Sequence, residues 1–413
     1  MRHLAIAVFA ILSTLIYLSP ASAQEKKLLT LDEAVKTALE NNPGITISES
    51  EVVSSTALVR TAKDSYYPQI YTRLIFPFVG RESGFFLNQT LWDFGRTQNK
   101  VKSSKALLES TKYEKEKTKD DVELNTIVSY YTVLSQMRIT EAAEKKSIEA
   151  QKRFEQAEGF FKAGRISQID VTKEEVNLGN SQLELATAKN NLVIARDNLM
   201  NAMGIKGEFN FELEDSLEYK KPDINLEESM DQAKESRPEI KSLKAQEVSI
   251  NANLEAAKKE FYPLFFGTTA YRFAGEGATT PGFIAGVGLQ FFIFEGFSRL
   301  ANIQDAKAKL MRAQAQIETA KVEIANEVKQ LKLDLDLAGE NIQVIGKTRE
   351  SAERSLLLAR ERYRLGRASD LELAEAEAIY SSSDSAYKQA IYNYNITAAR
   401  LKRAIGGTDD SHK

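Results

Sequence analysis

The chain has 413 residues, of which 43% are hydrophobic and 27% are charged, and its net charge is −3. This length allows two or three domains, while the polar content excludes a bundle of membrane helices and the charge gives no electrostatic basis for binding nucleic acid. There is no cysteine and the two histidines are His3 and His412, so disulfides, thiolate chemistry and histidine-based sites are excluded, and we expect no enzymatic activity, metal or cofactor.

Residues 1–23 have the pattern of a secretory signal peptide. Arg2 and His3 give a basic start, Leu4–Leu18 is mostly apolar, and small residues lead to Ala23. The alternative is a membrane anchor, but an apolar run of about fifteen residues is shorter than the roughly 20 that a spanning helix needs. We therefore expect an exported chain that begins near Gln24.

The rest of the chain consists of two copies of one sequence repeat. Its first part repeats at an offset of 195 residues, in the pairs Leu31 and Leu226, Ala38 and Ala233, Pro43 and Pro238, and Tyr67 and Tyr262. Its second part repeats at an offset of 202, in the pairs Asp93 and Glu295, Gly164 and Gly366, Arg165 and Arg367, and Gly204 and Gly406. The seven extra residues must lie between Pro263 and Glu295, where we expect a surface loop.

Each repeat contains a predicted β-hairpin. Apolar side chains alternate with polar or small ones in both repeats, at Ile70, Leu74, Phe76, Phe85, Leu87 and Leu91, and again at Phe283, Ala285, Val287 and Leu289. Turn-rich loops are expected at 77–84 and 274–282. Runs of about ten residues match the length of tilted strands that cross a bilayer, and aromatic side chains lie near their ends. A soluble β-sandwich is the alternative.

Four strands cannot close a barrel, and an open sheet edge in lipid leaves backbone groups without partners. A chain that spans the membrane must therefore oligomerise. Two chains would give eight strands around a filled core, whereas three would give twelve strands around an open lumen. The sequence therefore predicts a trimer.

Long polar helices follow each hairpin. No proline occurs between Gly95 and Gly204 or between Gly296 and Gly406. With a break at each Gly-Arg, we expect segments of about 65 residues that span roughly 100 Å. The returning helices carry a heptad seam, at Leu185, Ala188, Leu192, Ala195, Leu199 and Ala202, and at Tyr387, Ala390, Tyr394, Thr397, Leu401 and Ala404. An ordinary coiled-coil hairpin would explain this heptad seam. The other faces of the helices are polar, however, which favours a single layer of helices with water outside it and in a central lumen.

The predicted organisation follows from these patterns. After the signal peptide come an N-terminal segment with the first helices (24–65), a membrane hairpin (66–93) and a helical hairpin (94–204). An equatorial linker (205–225) leads to the second repeat. That repeat consists of a helix (226–260), a second membrane hairpin (261–294) and a second helical hairpin (295–406), and a tail follows (407–413).

These residues resemble the TolC-like outer-membrane efflux proteins. The resemblance rests on "LTLDEAVKTALENNPGI" near the start, Tyr67-Pro68 before a strand, "LWDFGR" and "IFEGFSR" after the strand pairs, and the two Gly-Arg tips, and it covers about 28 to 406. It implies a mainly α-helical homotrimer with a twelve-strand outer-membrane β-barrel and a long periplasmic α-barrel. Such a channel is an exit duct that serves an inner-membrane pump and a periplasmic adaptor.

The resemblance also assigns roles to the two tips. Gly164 and Gly366 would turn the helical hairpins at the periplasmic mouth, and a capping-box spacing follows each, in the pairs Ser167 with Asp170 and Ser369 with Glu372. Capping is one reading of these acids. The other is a gate, in which Glu372 and Glu375 ring the mouth and attract cations while Tyr363 links to Asp170.

Several positions depart from the family pattern. Where the family has two aspartates, this chain has Glu372 and Glu375, which keep the charge on a longer side chain. The arginine that assists the gate in the family falls on Ala368, so this second contact is missing or made by Arg367, and we expect a mouth that is held shut less firmly. The adaptor should dock at Gly164, Arg165, Gly366 and Arg367.

Two other functions are compatible with parts of the sequence. A periplasmic adaptor also carries a long helical hairpin, but we expect one hairpin and flanking lipoyl-like domains in that case. An exported hydrolase would need two carboxylates facing one cleft, whereas the acids here lie in helical charge patterns.

Overall fold

The structure is a computed structural model that describes residues 27–75, 83–215, 217–219, 225–274 and 280–406. The predicted signal peptide, most of the two predicted loops, part of the linker and the predicted tail lie outside the described residues. Within them the chain forms eight α-helices and six β-strands.

The two sequence repeats fold as two structural repeats. The first contains α1 (Leu31–Asn41), α2 (Pro43–Ala62), β2 (Gln69–Arg73), β3 (Gly84–Trp92), α3 (Arg96–Lys162) and α4 (Gln168–Met203). The second contains α5 (Leu226–Ser236), α6 (Pro238–Lys258), β5 (Leu264–Arg272), β6 (Gly282–Gln290), α7 (Ser298–Arg364) and α8 (Asp370–Ile405). Two short strands outside this pattern are β1 (Lys27–Leu29) and β4 (Phe211–Leu213).

The long helices are unequal, which corrects one prediction. The descending helices α3 and α7 have 67 residues each, as expected, but the returning helices α4 and α8 have only 36. They end at Gly204 and Gly406, whose φ angles of 69° and 79° are left-handed. At Gly204 the backbone of Asn41 is so close that a Cβ would lie 2.4 Å from its carbonyl oxygen. The short helices α2 and α6 fill the remaining length of the wall.

The strands form the two predicted hairpins. They lie in one antiparallel sheet in the order β2-β3-β5-β6, so that β3 and β5 join the repeats and β2 and β6 are its edges. Three strands have nine residues, whereas β2 has five. Beyond the prediction, β1 pairs in parallel with β4 of the linker.

The helices lie side by side in one layer. Next to the sheet the order is α2-α3-α6-α7, and towards the helix tips it is α4-α3-α8-α7. The predicted heptad seams are the contact lines, since their buried members include Ala188, Ala195, Leu199, Leu401 and Ala404. None of the helices that the structure describes is both long and apolar enough to cross a membrane.

Buried tyrosines fasten the linker to this layer. The Tyr130 hydroxyl of α3 lies 2.9 Å from the carbonyl oxygens of Leu29 and Glu214, and the Tyr392 hydroxyl of α8 donates to Asp215 at 2.7 Å. Burial raises the pKa of both phenols, which keeps them protonated as donors. Arg138 pairs with the same aspartate. The linker is therefore bound to the middle of the helical layer, where the two repeats meet.

Candidate functional site at the helix tips

Both tips end their descending helix in the same way. Gly164 and Gly366 have φ angles of 69° and 67°. The amides of Arg165 and Arg367 donate back to the carbonyls of Phe160 and Arg362 at 2.9 and 2.8 Å, in the bond pattern of a Schellman motif. A Cβ on either glycine would meet no atom within 4 Å, so the left-handed backbone alone favours glycine there.

The two capping sites differ. At the first tip the Asp170 carboxylate accepts hydrogen bonds from the Ser167 amide and hydroxyl, at 3.0 and 2.8 Å. These bonds lower the pKa of Asp170. At the second tip the Glu372 amide donates to the Ser369 hydroxyl at 3.1 Å, but the Glu372 carboxylate turns away. The capping box predicted there is therefore only half formed.

The carboxylates of the second tip are paired with basic side chains. Glu372 contacts Nη1 of Arg362 at 2.5 Å, across the turn between α7 and α8. Glu375 lies 3.1 Å from Nη2 of Arg153, which belongs to α3. One residue earlier on α3, Lys152 pairs with Asp370 at 3.1 Å. Glu372 and Glu375, which the sequence predicted as an acidic ring, are thus each paired with a basic side chain of the same chain.

Tyr363 has no such partner within the described residues. Its side chain is 44% exposed, and no hydrogen bond joins its hydroxyl to Asp170 in the part of the chain that the structure describes. The structure thus brings Glu372 and Glu375 into ion pairs and leaves Tyr363 and Asp170 apart in a single chain.

The tips present exposed side chains of two kinds. Gly164, Arg165, Gly366 and Arg367 are all exposed, and within the described residues neither arginine side chain pairs with an acid. Apolar side chains surround them, at Phe160, Phe161, Ile169 and Leu365. This combination of apolar area and arginine is typical of a protein-binding surface.

Sequence reasoning missed Lys152, Arg153, Arg362 and Asp370. Arg362 could have been found, because a hairpin turn brings residues ten apart face to face. Lys152 and Arg153 could not, because their partners lie on α8, more than two hundred residues away. Among the described residues no group of acids and histidines could hold a metal ion.

Aromatic side chains mark the other end of the helical layer. Phe94 has a left-handed φ of 56° and stacks on Tyr262 at 5.1 Å between ring centroids. Exposed aromatic side chains continue this zone where the sheet meets the helices, at Tyr66, Tyr67, Trp92, Phe294 and Phe297. Aromatic side chains are enriched at the interfaces between membrane and water.

The fold is that of solved outer-membrane channels. The Campylobacter jejuni CmeC outer membrane channel matches with a TM-score of 0.76 and 17% identity, over 93% of this chain and 87% of that one. The Vibrio cholerae outer membrane protein VceC matches with a TM-score of 0.69 and 15% identity, over 91% and 96%. The Neisseria gonorrhoeae MtrE channel, solved in its open state, matches with a TM-score of 0.68 and 17% identity, over 91% and 89%. At these identities the likeness establishes the fold.

No curated protein matches the chain significantly in sequence. A family model does match it, the one described as outer membrane efflux protein, over residues 78–205 and 229–407. These segments cover both repeats and most of the chain. The chain therefore belongs to the outer membrane efflux protein family.

Proposed function

We propose that three copies of this chain form an outer-membrane exit duct, with a twelve-strand barrel in the membrane and a helical tube in the periplasm. One observation carries the proposal. The antiparallel sheet has four strands, and the outer edges of β2 and β6 are unpaired within the described chain. In lipid these edges need partners, and other copies of the chain supply them when β6 of one copy pairs with β2 of the next.

The helical layer supports the same arrangement. α3 and α8 have neighbours on both sides, whereas α7 and α4 have one free side each. α7 exposes a row of apolar side chains at every eleventh residue, Leu300, Met311, Val322, Leu333 and Val344. α4 exposes Ile169, Val176, Leu183 and Val193. Contact along the free sides of α7 and α4 in adjacent copies would bury surface that a single chain exposes.

The duct would receive substrate from an inner-membrane pump through a periplasmic adaptor. The exposed tip residues Gly164, Arg165, Gly366 and Arg367 are the proposed docking surface for that adaptor. Cross-linking from photoreactive groups at Arg165 and Arg367 in intact cells should capture an exported hairpin protein. Groups placed at Lys402, in the last turn of α8 and at the opposite end of that helix from the tip, serve as the control and should not capture the same protein.

The mouth between the tips is the proposed gate. Asp170, Tyr363, Glu372 and Glu375 line it in this proposal, and the bond between Tyr363 and Asp170 would form when three chains close the mouth. Replacing Tyr363 by Phe should then raise the open probability in planar bilayers. An unchanged open probability would remove this bond from the gate.

The adaptor alternative is not favoured. The chain carries two helical hairpins and a four-stranded sheet of two β-hairpins, whereas an adaptor is expected to have one helical hairpin. The proposed function is tested by reconstituting the purified chain in planar bilayers. We expect discrete ion-conducting openings, and a protein that gives none at any concentration would contradict the proposal.

A further inference from the structure

One level of the antiparallel sheet brings two arginines close together. Arg73 is the last residue of β2 and Arg272 is the last residue of β5, at the strand ends that lie farthest from the helical layer. Both pair with Gly84 of β3, and Arg272 also pairs with Gly282 of β6. We call these four residues the outer row. Because directly paired residues share a face of the sheet, the two arginines lie on the same face.

The face that carries the outer row is the polar face of the sheet. It also carries amide and hydroxyl side chains, those of Gln69, Asn88, Thr90, Thr268 and Gln290. The opposite face exposes apolar side chains, among them those of Ile70, Phe85, Phe283, Val287 and Leu289. In the proposed barrel the apolar face contacts lipid, because arginine in contact with lipid destabilises a barrel. The outer row therefore faces the lumen, and three chains would place six arginines around its outer end.

Aromatic rings position one of the two guanidinium groups. The Cζ atom of Arg73 lies 5.6 Å from the ring centroid of Phe86 and 5.9 Å from that of Tyr71. These two residues are paired across the strands, and their rings stack at 5.4 Å between centroids. A guanidinium that stacks on rings keeps the N–H donors on its edge free for a second partner. Arg73 is thus held over the lumen face before any ligand binds.

The charges of the outer row are not offset by acids. Arg73 and Arg272 are the only charged residues in the four strands of this sheet. Neither forms an ion pair within the part of the chain that the structure describes, and the buried Nε of Arg272 has no hydrogen-bond acceptor there. Gly282 adds no side chain beside Arg272, and a Cβ on it would meet no atom within 4 Å. Unpaired charge of one sign in a lumen with low-dielectric walls attracts ions of the opposite sign.

We propose that the outer row is a binding site for soluble anions that carry two or more phosphate or carboxylate groups. The site deepens the proposed function and rests on it, because only several chains together surround a lumen. Arg73 and Arg272 lie two strands apart, which is about 10 Å between backbones, so one anion with several charged groups can contact more than one arginine. Guanidinium groups bind phosphate and carboxylate through paired hydrogen bonds, and rings of arginine favour anions in pores. The ligand comes from solution, since the outer row faces the lumen rather than lipid.

Inorganic tripolyphosphate is a suitable probe, because it carries three linked phosphate groups. The purified full chain is reconstituted in planar bilayers of neutral lipid, in dilute potassium chloride without divalent cations, and the probe is added to both sides. We expect tripolyphosphate to reduce the current through open channels, and the block to disappear at about 1 M salt, where charges are screened. An undiminished current at every concentration of the probe would overturn the proposal.

Two variants assign the block to the outer row. Arg73→Gln with Arg272→Gln removes both charges, and the concentration of tripolyphosphate that halves the current should rise at least tenfold. Thr268→Gln is the matched control, since it changes the same face closer to the helices without a change in charge, and it should be blocked like the natural protein. Equal half-block concentrations in the natural protein and the double variant would show that the probe acts elsewhere, which would overturn the proposal.

A second measurement uses the natural protein alone. Phenylglyoxal modifies accessible arginines, and mass spectrometry of peptides gives the rate at each position. Tripolyphosphate should slow the modification of Arg73 and Arg272 at least fivefold. Arg165, at an exposed tip, is the reference and should react at the same rate with and without the probe. Equal rates at Arg73 and Arg272 with and without tripolyphosphate would contradict the site even if the double variant fails to fold.

The outcomes separate this site from the proposed function. If the natural protein does not conduct, the exit duct is wrong, and the lumen site falls with it. If the natural protein conducts but tripolyphosphate neither blocks it nor protects the two arginines, only the anion site is wrong.

Discussion

Glu375 of α8 lies 3.1 Å from the guanidinium of Arg153 on α3, which couples the two helical hairpins of one chain close to their tips. The glutamate was predicted as part of an acidic ring, and its arginine partner offsets the charge that such a ring would present to ions. In the proposed gate, the net charge of the mouth therefore depends on this pair.

Removing the arginine should expose that charge. We predict that Arg153→Gln increases the preference of the channel for cations, because the freed Glu375 carboxylate attracts them. The measurement is the reversal potential in a potassium chloride gradient. Glu375→Gln should shift it in the opposite direction, and the double variant should return close to the natural value. Identical reversal potentials in all four proteins would contradict the assignment of Glu375 to the mouth.

Asp120 gives a prediction about pH. Burial and the nearby carboxylates of Glu123, Glu239 and Asp121 raise the pKa of Asp120 to about 6, against the lowering effect of Arg403. Because its folded pKa lies above the unfolded value, the folded state binds more protons between the two, and stability decreases as pH rises from about 4 to 6.

Replacing this acid by Asn should therefore stabilise the protein above pH 6. We expect a gain of about 1 kcal/mol at pH 8, after allowance for solvent screening, and no gain at pH 4. Thermal unfolding in detergent at the two pH values measures it. Asp121→Asn is the control, since that carboxylate pairs with Arg403 at 2.6 Å and its loss should not stabilise at pH 8. Destabilisation by Asp120→Asn at pH 8 would contradict the burial argument.

Two glycines with the same backbone angle should tolerate alanine differently. Gly164 and Gly204 both have φ of 69°, but only at Gly204 would a Cβ lie 2.4 Å from a carbonyl oxygen, that of Asn41. Gly164→Ala should cost about 1 kcal/mol for the left-handed backbone, and Gly204→Ala several times more. Unfolding midpoints of the two variants give the comparison, and equal midpoints would show that α1 does not pack tightly on α4.

The capping serine of the second tip should control local stability there. Ser369 accepts the Glu372 amide at 3.1 Å, and replacing an N-cap serine by alanine costs about 1 kcal/mol. Ser369→Ala should therefore speed amide hydrogen exchange in the first turn of α8 about fivefold. Ser351→Ala, at an exposed position inside α7, is the control and should leave that exchange unchanged. Unchanged exchange in Ser369→Ala would show that the turn, rather than the serine, fixes the start of α8.

Much of the fold was readable from the sequence because the signals are local. The repeat offsets predicted equivalent helices, the heptad positions such as Leu199 and Leu401 predicted the buried seams, and the glycines predicted the turns. The predicted length of the returning helices was wrong for a simple reason, because the break at Gly164 and the hairpin end at Gly204 are only 40 residues apart.

The candidate site was less predictable, because some of its contacts join residues far apart in the sequence. The serine caps follow from residues three apart, and the structure forms them in part. The pairing of Arg153 with Glu375 required knowledge that α3 and α8 are neighbours. The parallel pairing of β1 with β4 likewise joins segments about 180 residues apart, each only three residues long. Such short strands carry no alternation that a sequence pattern can reveal.

The central claim is that a sheet of four strands with two open edges is completed by two further copies of the chain. Native mass spectrometry of the mature protein, extracted from membranes in mild detergent, tests it most directly. The exit duct predicts a complex of three chains that dissociates only when the detergent is denaturing. A protein that is recovered as a single chain from the soluble periplasm, without detergent, would contradict it.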